Sequence, residues 1–244
     1  MAHVSRLILA AAALALTAGM GMAQTIRMGT EGAYPPYNFI NDAGEVDGFE
    51  RELGDELGKR AKLDCTWVTN DWDSIIPNLV SGNYDTIMAG MSITPEREQV
   101  IAFSQNYTPP ADSAYAALSA DADIEAGVIA AQTGTIQAAH VAETGATLLE
   151  FATGDETIAA VKNGEADAVF ADKDFLAPSV AESNGELVWA GEAVALGGGI
   201  GIGMRQSDTD LKKTFDTAIQ SMKDDGSLNE MIVKWFGEDA KVFE

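Results

Sequence analysis

The sequence has very little cysteine and histidine: one Cys and two His in 244 residues. The single cysteine, Cys65, cannot form a disulfide within the chain. Beyond the first 23 residues the one histidine is His140, so a cluster of His and Cys metal ligands or a cysteine–histidine nucleophilic pair is poorly supplied. Any chemistry must come from carboxylates, hydroxyls and arginine, and we expect no metal and no cofactor.

Basic residues are scarce as well. The chain has 15 Lys and Arg against 38 Asp and Glu, a formal net charge of −23. Such a chain repels nucleic acids and anionic lipid surfaces, since both are bound through clustered basic side chains. Hydrophobic residues make up 46%, which excludes disorder caused by low apolar content. The acidity indicates either a solvated surface or a preference for cationic ligands, and composition leaves both open.

Long hydrophobic runs occur only near the N-terminus. Arg6 precedes an apolar stretch, 7–18, that is shorter than the roughly 20 residues needed to cross a bilayer. The small residues Gly21 and Ala23 then stand just before Gln24. This pattern is typical of a secretory signal peptide over residues 1–23, with no cysteine to carry a lipid anchor. We therefore expect the chain to be exported, and we exclude this segment from the fold.

Hydrophobic periodicity predicts an α/β protein. Alternation predicts a strand over 26–30, apolar residues four apart predict a helix over 49–62, and a β-prone run predicts a strand over 65–68. This order is typical of an α/β domain. Near the C-terminus an apolar stripe predicts a helix that ends at Gly226, and Ser227 with Glu230 predicts a capping box for a last helix.

A helix, a glycine and a strand occur in the same order twice. The first copy has a helix over 73–80 and a strand over 84–89, and the second has a helix over 157–162 and a strand over 166–171. Three pairs of residues align with a constant offset: Gly82 with Gly164, Asp85 with Asp167, and Ala89 with Ala171. The repetition predicts two similar lobes, although the same order is common in any α/β protein.

Clusters of proline and glycine predict where the chain passes between the lobes. Pro109 and Pro110 lie within 107–111, and three consecutive glycines occupy 197–199. We therefore predict one lobe from residues 24–110 and 204–244, and a second lobe from residues 111–203.

Candidate binding residues follow from the strand ends, because ligands of open α/β sheets bind at the carboxyl ends of strands. The first repeated strand leads into Gly90, Met91 and Ser92, and the second leads directly into Asp172. A carboxylate after a buried strand suits an ammonium partner. Asp is also common in turns, so the sequence alone leaves both interpretations of Asp172 open.

Two predicted helix starts lie near these strand ends. Thr94 followed by Pro95 is a good N-cap pair, which puts Arg97 in the first turn. A positive charge there opposes the helix dipole, so it is unhelpful for stability but useful for holding an anion; a surface arginine is the alternative. Thr135 precedes a helical pattern from Ile136 onwards, where free backbone N–H groups could bind a carboxylate or phosphate. Any helix has such an end.

Four segments together resemble a known family: GTEGAYPPYNF, GFERELGDELGKRA, WDSIIPNLVSGNYDTIMAGMSITPERE and ADAVFAD. They are similar to family 3 periplasmic substrate-binding proteins of ABC importers for polar amino acids, nearest the branch for basic amino acids and opines. The resemblance runs from about residue 26 to the C-terminus. It implies the two-lobed type II periplasmic binding protein fold with two hinge strands. It also implies an amino acid ligand, an inner-membrane ABC permease as partner, and a monomer that is not an enzyme.

The resemblance also implies how the ligand's main-chain groups are bound. Arg97 would grip the α-carboxylate with two parallel charge-assisted bonds. Thr135 and the backbone N–H of Ile136 would bind the same carboxylate from the second lobe. The strand end 90–92 would surround the α-amino group and carboxylate, and Asp172 would pair with the α-ammonium. Opine binders of this family lack that aspartate, so its presence favours a free amino acid.

Three further residues would surround the ligand's side chain. By the same resemblance, Tyr34 and Trp72 are the aromatics that flank it. Glu31 matches the position where lysine and arginine binders keep an acid for the distal cation, and ion pairing with cation–π contact would hold a guanidinium there. The alternative is that Glu31 points to solvent and the side-chain pocket is neutral.

The sequence departs from the family pattern in two places. Some basic amino acid binders have a disulfide between the position of Cys65 and one seven residues earlier, where Gly58 stands here. We expect Cys65 to be a free, buried thiol. Several binders also have two serines where this chain has Ala89 and Gly90. Fewer hydroxyls there weaken an assignment to lysine, arginine and ornithine.

Other functional classes stay in view. The same fold hosts periplasmic dehydratases that act on prephenate-like acids, which need a general acid or base beside a dianionic substrate. The one candidate cation, Arg97, with the acids Glu31 and Asp172 suits a zwitterion better. A sensor domain would need a membrane-spanning segment, and the sequence ends at Glu244 without one. Neutral amino acids and opines remain alternative ligands.

Overall fold

The computed structural model describes residues 24–244, and the predicted signal peptide lies outside them. The described chain forms two five-stranded sheets and one three-stranded sheet, with helices packed against them. Each five-stranded sheet is the centre of one lobe, as in a type II periplasmic binding protein. Across residues 24–244, each helix is too short or too polar to cross a membrane.

The first lobe is built from two separate parts of the chain. Its elements are β1 (Thr25–Thr30), β2 (Ala33–Tyr34), β3 (Asn38–Ile40), β4 (Val46–Asp47), α1 (Phe49–Ala61), β5 (Asp64–Thr69), a 3₁₀ turn (Trp72–Ser74), α2 (Ile75–Val80), β6 (Thr86–Ile87), α3 (Pro95–Glu98), β7 (Ala102–Thr108), β13 (Ile200–Met204), α7 (Thr209–Asp224) and α8 (Ser227–Phe236). The main sheet has the order β5-β1-β6-β13-β7. Strand β1 is parallel to β5 and β6, whereas β13 is antiparallel to β6 and β7.

The second lobe repeats this arrangement with one continuous segment. Its elements are β8 (Asp112–Ala117), β9 (Val128–Gln132), α4 (Ile136–Ala142), β10 (Thr147–Phe151), α5 (Gly154–Lys162), β11 (Ala168–Asp172), α6 (Lys173–Glu182) and β12 (Val188–Ala195). The sheet order is β10-β9-β11-β8-β12. In both sheets the first parallel strand lies between the second and third, and the fourth position holds the strand that enters from the other lobe. The two lobes therefore share one topology.

The repeated aspartates occupy equivalent places in the two sheets. Asp85 accepts a hydrogen bond from the backbone N–H of Arg27 at 3.0 Å, and its own N–H donates to the Arg27 carbonyl at 2.8 Å. Asp167 makes the same two bonds with Val128, at 2.7 and 2.8 Å. Each aspartate thus fastens the loop before the third strand to the first strand of its sheet. The sequence repeat is a structural one.

The chain crosses between the lobes at two neighbouring points. One crossing, at 109–111, joins β7 to β8, and the other, at 196–199, joins β12 to β13. The predicted lobe boundary after residue 203 falls inside β13, which is hydrogen-bonded into the first sheet. The return crossing therefore precedes Ile200. The glycines of this strand (IGIGM) interrupt its apolar pattern, which is why the sequence did not predict a strand here. Its backbone lies directly against Ile87 and Ile93, where a Cβ atom would be crowded.

Helix α1 follows from its sequence almost without correction. Phe49, Leu53 and Leu57 are fully buried on one face. The first turn is acidic and the last turn is basic, which favours the helix dipole at both ends. The helix packs against α7 and α8, so the N- and C-terminal parts of the first lobe share one core.

The predicted capping box at the start of α8 is wrong. Gly226 is the N-cap residue, with φ +80°, and no side chain caps the helix. The hydroxyl and backbone N–H of Ser227 both donate to one oxygen of Asp225, at 2.6 and 3.0 Å. The aspartate outcompetes the helix backbone for the serine because it offers an ionised acceptor one residue before the glycine.

Cys65 is a free thiol, as predicted, and it is half-buried rather than fully buried. Burial raises the pKa of its thiol to about 11, with smaller contributions from Asp55 and Asp64, so the protonated form prevails. A Cβ atom on Gly58 would lie 2.7 Å from its sulfur. The two positions are adjacent, and the glycine leaves the thiol unpaired.

Candidate functional site

A cavity lies between the lobes where the carboxyl ends of both sheets face each other. Twelve residues line it: Glu31, Tyr34, Trp72, Ala89, Gly90, Ser92, Arg97, Gln132, Thr135, Ile136, Gln137 and Asp172. Nine of the ten predicted site residues are in this set. The exception is Met91, whose side chain is buried in the apolar core of the first lobe with Ile75 and Leu79. The chain bends at Gly90, which has φ +61°, and Met91 points into the core whereas its neighbours Gly90 and Ser92 line the cavity.

Arg97 is held at the cavity by the start of α3. Thr94 caps this helix by accepting a hydrogen bond from the backbone N–H of Arg97 at 3.3 Å, with proline at the first helical position, as predicted. The guanidinium donates to the Ser92 carbonyl at 2.8 Å and, across the cleft, to the Gly134 carbonyl at 3.3 Å. Its carbon lies 5.4 Å from the centre of the Trp72 ring.

The guanidinium of Arg97 is partly buried and remains ionised. Burial lowers its pKa to about 10, and the nearby Asp172 acts in the opposite direction. It therefore stays charged at neutral pH. Two of its five N–H donors are engaged by carbonyls, which leaves others for a carboxylate in the cavity.

The second lobe contributes the start of α4. Thr135 is the N-cap residue: its hydroxyl accepts from the N–H of Ala138 at 3.1 Å and donates to the Gln132 carbonyl at 2.7 Å. Ile136 is the first helical residue and lines the cavity. Backbone N–H groups in a first helical turn have no partner within the helix. Both predicted residues lie opposite Arg97.

Asp172 is buried at the end of β11. One oxygen accepts from the hydroxyl of Tyr34 at 2.8 Å, and the other accepts from the side-chain amide of Gln137 at 2.9 Å. Burial raises the pKa of Asp172 to about 6, while the Tyr34 hydroxyl and the charge of Arg97 lower it. The Tyr34 ring stacks on Phe175, with ring centres 4.1 Å apart. This aromatic contact joins the two lobes beside the carboxylate.

Glu31 lies in the loop after β1, is partly buried and lines the cavity. Its carboxylate accepts a hydrogen bond of 2.6 Å from Gln132 of the second lobe. Burial raises the pKa of Glu31 to about 7; Asp155 and Asp71 add to the shift, and the Gln132 amide opposes it. A cation placed beside this carboxylate would bring the pKa back down.

The family profile for bacterial extracellular solute-binding proteins, family 3, matches residues 26–238. The chain belongs to this family. The resemblance seen in the sequence is thereby confirmed. Members of the family are solute-binding proteins, and the chain is one of them.

Curated relatives in the family are periplasmic proteins for several ligands. An octopine-binding periplasmic protein of Rhizobium meliloti is 31% identical, over 93% of this chain and 96% of its own length. A lysine/arginine/ornithine-binding periplasmic protein of Escherichia coli is 30% identical, over 87% of this chain and 88% of its own length. The relatives share the family without sharing one ligand.

Solved structures in the family have the same two-lobed architecture. A periplasmic His/Glu/Gln/Arg/opine family-binding protein of Silicibacter pomeroyi, in complex with lysine, is 72% identical, covers 89% of this chain and 100% of its own, and superposes with a TM-score of 0.88. An ancestral amino acid-binding protein, a precursor of cyclohexadienyl dehydratase, is 29% identical, covers 87% of this chain and 95% of its own, and superposes with a TM-score of 0.78.

Two glutamines that line the cavity, Gln132 and Gln137, were not predicted from the sequence. Gln132 ends β9 and bridges Glu31 and the Ala152 carbonyl, and Gln137 bridges Asp172 and Ser113. Gln132 ends the strand equivalent to β1, so the strand-end rule could have identified it. Gln137 carried no signal, because one glutamine in a helical pattern is ordinarily exposed.

Proposed function

We propose that this protein captures an L-amino acid with a cationic side chain, of the lysine, arginine and ornithine class, and delivers it to an ABC importer. The observation that carries the proposal is the charge set of the cavity: the guanidinium of Arg97 and the carboxylates of Glu31 and Asp172. A dibasic amino acid has the complementary set, one carboxylate and two cations. Pairing matters here because an unpaired buried charge is strongly unfavourable.

Each charged residue has one task in this proposal. Arg97 binds the α-carboxylate through its remaining N–H donors, and Asp172 binds the α-ammonium. Glu31 binds the distal cation of the side chain. Trp72 and Tyr34 line the path between them, where the aromatic faces attract a cation and exclude water.

Closure of the lobes would enclose the bound ligand between them. Three hydrogen bonds join the lobes across the cavity: Tyr34 with Asp172, Glu31 with Gln132, and Arg97 with the Gly134 carbonyl. A ligand bound by groups of both lobes stabilises the closed arrangement relative to an open one. The closed shape is then the signal that a permease recognises.

Location and ligand class draw support from the comparisons. We infer that residues 1–23 are a signal peptide cleaved before Gln24, and that the remaining chain acts in the periplasm, where its curated relatives act. The 72% identical neighbour was solved with lysine. That ligand carries the charge set that this cavity complements.

The proposal is tested by a thermal-shift screen of purified residues 24–244, stripped of bound ligand by partial unfolding and refolding. The panel contains the amino acids, ornithine, citrulline, octopine and prephenate. A ligand at about a hundred times its dissociation constant stabilises the fold by roughly 2.7 kcal/mol, a shift that is readily measured.

The outcomes are distinct. A shift with lysine, arginine or ornithine, and little with citrulline, is the expected result, because citrulline resembles arginine in shape but lacks the charge. Equal shifts with citrulline and arginine would refute the cationic pocket and keep an amino acid binder. A shift with prephenate alone would instead support a dehydratase.

A further inference from the structure

Glu50 is a fully buried carboxylate that does not line the cavity. It belongs to the GFERELGDELGKRA segment and lies in the first turn of α1, on the same face as Leu53 and Leu57. Charged residues are almost never fully buried unless they are paired. Glu50 makes no contact with the ligand in the proposed binding mode, so a different role must account for its burial.

Three donors converge on this carboxylate. One oxygen accepts from the backbone N–H of Gly90 at 2.7 Å and from the hydroxyl of Tyr107. The other oxygen accepts from the side-chain amide of Asn38 at 2.7 Å. Asn38 in turn accepts from the N–H of Gly32 at 2.7 Å. An ionised carboxylate accepts all of these bonds, because it has only acceptor sites.

The partners of Glu50 belong to three functional segments. Gly90 lines the cavity where the first repeated strand ends. Gly32 follows Glu31 directly, so Asn38 fixes the loop that presents the candidate cation-binding carboxylate. Tyr107 is the last residue but one of β7, immediately before the crossing at 109–111. One buried group therefore connects the hinge with both sides of the cavity in the first lobe.

We propose that Glu50 is a positioning residue that couples the hinge to the ligand cavity, a role that rests on the proposed function. It holds Gly90 and the Glu31 loop in the geometry that binds ligand. Through the Tyr107 hydroxyl it also fixes the position of the end of β7 relative to these two segments. A change in β7 as the lobes close is transmitted to the cavity through the Tyr107 hydroxyl. The side chain never touches the ligand.

The chemistry of the network supplies a sharp test. In Glu50→Gln the new amide N–H₂ group faces the N–H₂ group of Asn38, and two donors cannot bond. Rotating the Asn38 amide only moves the mismatch to the Gly32 N–H. Adding Asn38→Asp provides an acceptor for both the new amide at position 50 and the Gly32 N–H. The double variant therefore regains every hydrogen bond, and the negative charge moves from position 50 to position 38.

Affinity for the amino acid that wild type binds best is measured by calorimetry on folded protein. We expect Glu50→Gln to weaken binding by at least tenfold and Asn38→Asp/Glu50→Gln to recover affinity to within threefold of wild type. A single variant that keeps affinity within twofold, or a folded double variant that stays as weak as the single one, overturns the proposal. A wild-type chain that binds no amino acid overturns the proposed function instead.

A milder variant covers the case in which Glu50→Gln does not fold. Tyr107→Phe removes only the hinge hydroxyl, and Tyr84→Phe is its matched control, since Tyr84 is also fully buried in the first lobe and donates to the Ile75 carbonyl. We expect both variants to be less stable than wild type. Only Tyr107→Phe should also bind the amino acid about fivefold more weakly. It should also change the rate of ligand-induced closure, which is measured by tryptophan fluorescence. Equal affinities in the two variants refute the coupling.

Discussion

Asp172 is buried before any ligand is bound, and the other two charged residues of the cavity, Arg97 and Glu31, are partly buried. Burial acts against the charged form of each: it lowers the pKa of the arginine to about 10 and raises those of the acids to about 7 and about 6. Shifted groups of this kind cluster at functional sites, because the ligand supplies the partner that the fold withholds. At the scale of single residues, the cavity therefore favours a ligand whose charges pair with these three side chains.

The first prediction concerns Arg97. Arg97→Ala should weaken binding of every amino acid by at least about 30-fold, because truncating one partner of a buried charge pair costs about 2–5 kcal/mol. Calorimetry against lysine and glutamine measures the loss. Arg51→Ala is the control: it removes the same charge from a half-exposed site paired with Asp55, and it should leave affinity unchanged. Equal losses in both variants would mean that only the net charge matters.

The second prediction concerns Glu31 and pH. Burial raises its pKa to about 7, so at pH 6 a cationic ligand must displace a proton that is largely absent at pH 8. Lysine affinity should fall about tenfold between pH 8 and pH 6, since affinity changes at most tenfold per pH unit below the pKa. Glutamine affinity should change far less.

Glu31→Gln provides the control for this dependence. The variant should bind lysine weakly at both pH values and lose most of the pH effect, while its glutamine affinity stays close to wild type. An equal loss for lysine and glutamine would exclude Glu31 as the partner of the distal cation.

At the scale of elements, the two lobes use the same aspartate differently. Asp85 binds the side chains of Arg27 and Arg205 as well as a backbone N–H, whereas Asp167 is exposed and bonds to the backbone of Val128. The fastening between first and third strands is common to both lobes. The additional ion pairs belong to the first lobe alone.

The third prediction compares these aspartates. Asp85→Ala should lower the free energy of unfolding by about 1–3 kcal/mol, because charge-assisted hydrogen bonds are lost, and Asp167→Ala by about 0.5–1.5 kcal/mol. Urea denaturation measures both. Ligand affinity should stay at the wild-type value in each, since neither residue lines the cavity. Equal losses in the two variants would show that the shared backbone bond, and not the arginine network, dominates.

At the scale of the whole molecule, the lobes meet through contacts between residues far apart in the chain. Tyr34 and Asp172 are separated by 138 positions, and Glu31 and Gln132 by 101. These contacts bury acids that would otherwise face water. The ligand-free closed form should therefore respond to pH through Glu31 and Asp172.

The fourth prediction is that ligand-free protein gains stability as the pH falls from 7.5 to 5. Both acids have pKa values raised by burial, to about 7 and about 6. Their folded forms hold protons more tightly than the unfolded chain does, so this stabilisation is lost as pH rises through that range. Calorimetric Tm values should fall with rising pH. The slope should be smaller in Glu31→Gln; an identical slope would assign the effect to overall charge repulsion.

Much of this protein follows from its sequence. The α/β pattern, the repeated unit and the two crossings were predictable, because apolar periodicity and Pro or Gly clusters record local backbone preferences. Nine of the ten site residues predicted from the strand-end rule and the family resemblance line one cavity. Arg97 is the clearest case, since its place in the first turn of α3 follows from Thr94 and Pro95 alone.

Other features were decided by tertiary structure. The membership of β13 in the first sheet, the side chain of Met91 in the core, and the bonds of Gln137 and Glu50 depend on neighbours distant in sequence. A charged residue on an apolar helix face, such as Glu50, signals that a partner exists without naming it. Only the packed lobes supply Gly90, Tyr107 and Asn38, because a buried carboxylate is stable only where the fold brings donors to it.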